Sequence, residues 1–539
     1  MVEKILNSKA KTITLAAIIV GLSTLFSGLL GVLKMRLLAG KFDVGFTLDS
    51  YFAAFRIPDL ISATIIAGGI IVSFLPLFSR NFQKKEEKAW ELANNMIGIS
   101  LVVLAVLSAL IWIFAPQLVS LIAPGFVGAQ KILTVKLARI MFVTPLLFAV
   151  SAVFSGILQH FDRFVAYALA PVLYNIGIIF GIVFLSKFFT EPICGVAWGV
   201  VLGALMHLLI QIPSAINSGY RYKFVFNLKD PELKKVLKLI GPRMISQASS
   251  QLNLIVITAI ASLLAAGSVA VFNFANNLYL FPVAIIGTSF ATAAFPSFSR
   301  SLANGDFDRF RSDLSSTFRQ IIFFALPVSA MVLILRAQIV RLVLGTGQFD
   351  WTETRLTAAA LGVFAFAIIF ASLLPLLVRV FFAFQDTKTP AIISISSIGL
   401  NIFLSFFFTH LLENNLSMAA FLRLSDIPDI RVVGLVAALS LSTLVQFIFL
   451  FVLSKKKIES YPTKEIESSL VKTSVATIVM AIVTHFSLRI ALFFVQLTTF
   501  KAVLLQSAIA FTLGASAYLI MLYLLDSKEL KNLWNHFQK

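Results

Sequence analysis

Lys34, Asp49, Arg56 and Asp59 are ionisable residues set inside two long apolar runs near the start of the chain. A charge held at the centre of a membrane helix costs about 2.5–3.5 kcal/mol on insertion scales, so such residues face a hydrated cavity or one another. Thr24, Ser27, Gly31 and Lys34 fall at i, i+3, i+7 and i+10, which places them on one helical face. The next run carries Asp49, Arg56, Asp59 and Ser62 before ending at Pro76-Leu77-Phe78-Ser79-Arg80. A second polar group stands halfway along the chain. Ser246, Gln247, Ser250, Gln251 and Asn253 occupy the middle of one run, and Asn273, Asn276 and Asn277 follow at i, i+3 and i+4 in the next. Amides and hydroxyls facing lipid would leave donors unsatisfied, so these faces point inward. They either hydrogen-bond neighbouring helices or line a hydrated cavity. The candidate binding residues are therefore Ser27, Lys34, Asp49, Arg56, Asp59, Ser62, Gln247, Asn276 and Asn277.

The chemistry these residues offer is non-covalent. His160, His207, His410, His485 and His536 are scattered without metal-ligand spacing. Cys194 is the single cysteine, so neither an internal disulfide nor a cysteine metal cluster can form. No enzyme activity, cofactor or metal is expected.

The elements that position these residues follow from composition. The chain has 539 residues, 59% hydrophobic and 13% charged, with mean hydropathy +0.93. Soluble domains carry about twice that charge fraction, so this is a polytopic, all-α membrane protein. The net charge of +19 would suggest nucleic acid in a soluble protein. Here it fits basic loops against anionic lipid, and no nucleic-acid partner is expected. Lys4, Lys9 and Lys11 before the first run resemble a signal peptide, but the run is too long, and it reads as an uncleaved first span.

A span needs about 20 apolar residues. On that basis fourteen spans are expected: 12–39, 49–78, 91–115, 132–158, 164–186, 194–216, 237–264, 268–298, 313–335, 356–384, 390–410, 431–454, 467–493 and 502–525. Pro375 is expected to bend the tenth. With the N-terminus inside, more than half of the 44 lysines and arginines fall in inner segments, which places both termini in the cytoplasm.

The chain also repeats. Pro76-Leu77-Phe78-Ser79-Arg80 returns as Pro296-Ser297-Phe298-Ser299-Arg300, and Pro58 as Pro282. Gln159 to Asp162 resembles Gln385-Asp386, and Asn175-Ile176 matches Asn401-Ile402. The shared order argues for two six-helix bundles, residues 1–220 and 221–460, with two further helices in 461–539. In transporters built of parallel repeats the site lies at the repeat interface near the midplane.

At the level of motifs the chain resembles the MurJ/MviN family. The resemblance rests on residues 22–31 (Leu-Ser-Thr-Leu-Phe-Ser-Gly-Leu-Leu-Gly), Leu48-Asp49-Ser50-Tyr51-Phe52 and Phe55-Arg56-Ile57-Pro58-Asp59. Ala123-Pro124-Gly125-Phe126, Ala266-Gly267-Ser268-Val269 and Gln385-Asp386-Thr387-Lys388-Thr389-Pro390 extend it over nearly the whole chain. It implies a fourteen-span member of the multidrug/oligosaccharidyl-lipid/polysaccharide exporter superfamily. It further implies a flippase, in the bacterial cytoplasmic membrane, for lipid II, the undecaprenyl-pyrophosphate-linked peptidoglycan precursor. Working as a monomer among membrane lipids and cell-wall synthesis proteins would fit. The rivals are an exporter of another polyprenyl-linked glycan or an organic cation, and a non-transporting scaffold.

The family presents cavity arginines, and this chain departs from them. The two span-one positions are Gly28 and Lys34, with Met35 where an aspartate follows; the span-two position is Ser62. The span-eight pair is Asn276 and Asn277, and Asp49 is retained. Arginine offers a planar fork to phosphate, whereas Lys34 supplies a point charge. Arg56 can compensate, or can instead form an i, i+3 ion pair with Asp59. No ATP-binding motif is present, so a membrane potential or ion gradient is the expected energy source.

Overall fold

The computed structural model describes residues 13–64, 70–413, 415–494 and 499–537. Lys4, Lys9, Lys11 and Thr12 lie outside the described residues. Among those described, helices are the regular secondary structure and no strand forms. It divides into two compact units, Met1–Ala270 and Val271–Lys539.

The first unit contains α1 (Ile13–Lys41), α2 (Phe46–Ile61), α3 (Ile71–Lys84), α4 (Glu86–Ile113) and α5 (Ala115–Ile122). It continues with α6 (Gly128–Met141), α7 (Thr144–His160), α8 (Phe164–Val183), α9 (Pro192–Leu209), α10 (Ile212–Asn217) and α11 (Pro231–Ser262). The expected fourth span, 132–158, is two helices joined at Phe142 and Val143. Pro145 explains the break, since it enters the first turn of α7 and cannot donate to a continuing helix. Helices α8 and α9 approach at glycines. A Cβ on Gly181 would sit 2.6 Å from the Gly199 Cα, and one on Gly177 would sit 2.3 Å from the Gly203 Cα. Small residues at such a crossing let the backbones pack where lipid gives no hydrophobic drive between helices. The extended segment between α10 and α11 is pinned to α4 by two amides. Asn94 donates to Arg221 O at 3.1 Å and accepts from Lys223 N at 3.1 Å, while Asn95 accepts from Asn227 N at 2.8 Å. Helix α11, capped by Asp230, packs on α2, α3, α4 and α5 and so belongs to this unit.

Helix α12 (Ser268–Val283) begins at the end of the first unit and leads into the second. There follow α13 (Ser289–Ala303), α14 (Phe307–Val343), α15 (Trp351–Ala383), α16 (Lys388–Leu412), α17 (Leu416–Phe421), α18 (Val432–Lys457), α19 (Thr463–Phe494), α20 (Phe500–Leu524) and α21 (Lys528–Phe537). Asp350 and Glu353 form a reciprocal capping box at the start of α15, which runs unbroken through Pro375. The core of this unit joins Phe298, Phe310, Phe318, Leu376 and Leu450. A second cluster around Phe323, Met331, Met480 and Tyr518 ties α14 to α19 and α20.

Among the described residues, twelve helices are long and apolar enough to cross a membrane. The two expected spans missing from that number are the second and the seventh. Residues 65–69 of the second lie outside the described residues, and the seventh lies within the continuous helix α11, where the side chains of 239–249 are outside them as well. With them the chain is a multi-pass, all-α membrane protein of fourteen spans.

The repeat reappears in local geometry. Pro58 lies inside α2 and Pro282 inside α12, and each helix then passes into π-type turns, at 62–64 and at Ala284–Thr288. Pro76 and Pro296 lie inside the helices that follow. The turns after α7 and α15 match bond for bond. Asp162 (φ 57°) and Gln385 (φ 59°) take the left-handed conformation. Arg163 N then donates to Leu158 O and Asp386 N to Phe381 O, each at 2.9 Å. That six-to-one closure is the Schellman ending of a helix. It aligns Asp162 with Gln385, three residues from the alignment that the glutamines suggest.

Candidate functional site

Charged residues of α1 and α2 come within electrostatic reach of one another in the first unit. Lys34 on α1 is half-buried, and its ammonium has no direct hydrogen-bond or ion-pair partner among the described residues. Asp59 on α2 lies within electrostatic reach of both Arg56 and Lys34. Tyr51 on α2 and Tyr174 on α8 sit in the field of the same carboxylate. Arg56 is 7% exposed, and its Nε donates to Thr258 Oγ1 on α11 at 2.7 Å. Thr258 in turn donates to Leu254 O at 2.8 Å, an ordinary back-bond to its own helix. Two cations, one carboxylate and two phenols therefore gather inside membrane-spanning helices, with one cation in excess. Such a group can hold an anion, because charge-assisted hydrogen bonds strengthen where water is scarce.

The other polar residues singled out in the sequence have separate surroundings. Ser27, two turns before Lys34 on α1, receives Asn175 Nδ2 from α8 at 3.0 Å on its hydroxyl and 3.3 Å on its carbonyl. Asn175 thus locks α1 to α8. Gly31 lies between Ser27 and Lys34 on the same face, and a Cβ there would meet open space. Ser62 is half-buried in the π-type turns after α2. Asp49 is 2% exposed and accepts two backbone N–H groups, Gly267 N on Oδ2 and Ala270 N on Oδ1, both at 2.7 Å. It caps the opening turn of α12, whose free N–H groups and dipole favour a carboxylate. Gln247 lies on α11, with its side chain outside the described residues. In the second unit Asn276 is buried on α12, and Asn277 is exposed and donates to Asn273 O at 2.8 Å.

Lys34, Arg56 and Asp59 are thus gathered together, and Ser27 and Asp49 are engaged elsewhere. Sequence reading missed Thr258, Tyr174 and Tyr51 as partners of the charges. A signal was present: each is a polar group inside an apolar run.

The fold is one shared by transporters of the exporter superfamily. A multidrug-resistance MATE family transporter of the MOP superfamily, solved facing inward, matches with a TM-score of 0.64 at 17% identity, covering 81% of this chain and 96% of that one. A solved lipid II flippase MurJ in an inward closed conformation matches with a TM-score of 0.75 at 23% identity, over 94% of this chain and 98% of that one. The family model described as lipid II flippase MurJ matches residues 38–505, and this chain belongs to that family. Among its relatives, a probable lipid II flippase MurJ of Buchnera aphidicola subsp. Schizaphis graminum is 31% identical over 402 residues, covering 72% of this chain and 77% of that protein. The lipid II flippase MurJ of Burkholderia cenocepacia is 28% identical over 379 residues, covering 69% and 73%.

Proposed function

We propose that this protein is a lipid II flippase. It moves the undecaprenyl-pyrophosphate-linked peptidoglycan precursor from the inner to the outer leaflet of the bacterial cytoplasmic membrane by alternating access. The observation that carries the reading is the Lys34–Arg56–Asp59 group, placed inside the membrane in a chain of this family. A pyrophosphate-sugar headgroup must cross about 30 Å of hydrocarbon while its tail stays in lipid, and a basic hydrated wall replaces the water around the phosphates. Lys34 is the residue assigned to the pyrophosphate, since its ammonium makes no direct hydrogen bond or ion pair among the described residues. Arg56 and the two tyrosines add donors around it. The binding set of Ser27, Lys34, Asp49, Arg56, Asp59, Ser62, Gln247, Asn276 and Asn277 belongs to this proposal. So do the division at 220 and 460, both termini in the cytoplasm, the monomeric state and any cell-wall synthesis partner.

An organic-cation exporter would need uncompensated acids within its spans. Asp59 has two cations in reach, which disfavours that alternative. The deciding experiment is complementation. A bacterium depleted of its own lipid II flippase should regain growth when this chain is expressed. Failure to restore growth, with the protein present in the membrane, would remove the proposal in favour of another polyprenyl-linked glycan or a scaffold.

A further inference from the structure

A cavity of about 220 Å³ opens in the second unit among the Arg319 turn of α14, the first turns of α19 and the start of α21. Arg319, Lys464, Lys472 and Lys528 line it, against two carboxylates, Glu465 and Glu529. Both carboxylates are already engaged. Glu529 accepts from Arg319 Nη1 at 2.7 Å and from Ser527 Oγ at 2.8 Å. Glu465 accepts from Ser315 Oγ at 2.6 Å. Arg319 also sets its Nη2 3.9 Å from Glu465, so it pairs with both carboxylates, and the lysines are the cations less fully used. Arg319 Nε is buried without a hydrogen-bond partner, and Lys464 and Lys528 have no side-chain or backbone partner among the described residues. Lys472 donates only to Asp526 O, at 3.0 Å. Positive charge therefore exceeds negative in a space that holds several water-sized groups. A buried guanidinium N–H with nothing to bond is a donor awaiting an acceptor.

The surroundings say which acceptor. Beside the cavity, Val471 on α19 and Tyr523 and Leu524 on α20 are 62%, 77% and 70% exposed, an apolar flank suited to acyl chains. Helix α21 presents Leu530 to the buried Tyr518 and Leu522 cluster and leaves Trp534 65% exposed. A short amphipathic helix with an outward tryptophan lies in the headgroup layer. The cavity thus sits where phospholipid headgroups are, with an apolar wall on one side and unspent cations on the other.

We propose that this cavity binds the phosphate of an acidic phospholipid headgroup, held by Arg319, Lys464 and Lys528, and that α21 folds over it as its rim. The site is independent of the transported substrate. The shared chemistry is a phosphate oxyanion, and the test separates the lipid from the free ion. Full-length protein in detergent is titrated with dioleoyl phosphatidylglycerol, with dioleoyl phosphatidylcholine and with inorganic phosphate, and bound lipid is counted by native mass spectrometry. The wild type should retain one phosphatidylglycerol more tightly than any phosphatidylcholine. The K464Q/K528Q double variant should bind that lipid about thirtyfold more weakly, as expected for losing two lysines at an anionic headgroup. Neither lysine holds another side chain, so the fold should survive. Arg319→Lys should give an intermediate loss. Equal affinity for the two lipids, or an unchanged double variant, would overturn the proposal. Displacement of the bound lipid by millimolar inorganic phosphate would also overturn it, by making the site one for the free ion.

Discussion

Asp49 Oδ2 accepts the backbone N–H of Gly267 at 2.7 Å, across more than two hundred residues of sequence. Gly267 has a φ of 92°, and a Cβ there would stand 2.9 Å from Val44 O. The start of α2 and the opening turn of α12 are therefore fitted to each other by one carboxylate and one glycine. An acidic residue retained in the sequence as a binding candidate turns out to be committed to a helix N-terminus.

Asp49→Ala should leave the Gly267 and Ala270 N–H groups buried without an acceptor. The expected loss is about 2 kcal/mol, the usual penalty for orphaned buried donors. It would appear as a lower melting temperature of the detergent-purified protein. Asp49→Asn keeps one acceptor oxygen and should fall between the two. A wild-type melting curve for Asp49→Ala would show that the cap is dispensable.

Lys34 separates a substrate role from a structural one. If it holds pyrophosphate, Lys34→Glu should abolish complementation, Lys34→Gln should weaken it and Lys34→Arg should be tolerated, all at unchanged protein levels. If it instead balances Asp59, Lys34→Gln should reduce the amount of folded protein, and Asp59→Asn added to it should restore that amount. Normal growth supported by Lys34→Gln would mean that the substrate is recognised through other residues.

The α8–α9 crossing tolerates no side chain. Gly199→Leu would drive a Cβ to 2.6 Å from the Gly181 Cα, where only backbone is available to yield. Folded protein in the membrane fraction should fall severalfold, while Gly31→Ala, whose Cβ meets open space, should leave it unchanged. Equal yields of the two variants would contradict the packing described.

Asp386, in the turn between α15 and α16, gives a pH signature outside the spans. Its carboxylate accepts from Lys457 Nζ at 2.7 Å, from Thr389 N at 3.0 Å and from Thr389 Oγ1 at 2.8 Å. The Lys457 hydrogen bond, with the Thr389 backbone next, lowers its pKa from the ordinary 3.8 to about 2. A depressed carboxylate stabilises the fold above its unfolded pKa and loses that contribution as pH falls through the folded value. Wild-type stability should therefore decline between pH about 4 and about 2 more steeply than that of Asp386→Asn, which lacks this titration. Parallel melting profiles in that window would exclude the linkage.

Much of this protein was legible in its sequence because membrane insertion is a local constraint. Each span must satisfy its own backbone within about 20 apolar residues, so hydropathy alone placed the helices. The repeat was legible for a related reason: Pro58 and Pro282 impose the same local backbone wherever they stand. What tertiary structure decided was partnership. Ser27 and Lys34 share a face, yet one is taken by Asn175 while the other makes no direct hydrogen bond among the described residues. Arg56 stands three residues from Asp59, yet its Nε goes to Thr258, on a helix two hundred residues away. Asp49 reads like any other charge in a span until α12 is brought against it. A side chain's type and depth are set by its own segment, but which buried donor meets which acceptor depends on helices that only folding brings together.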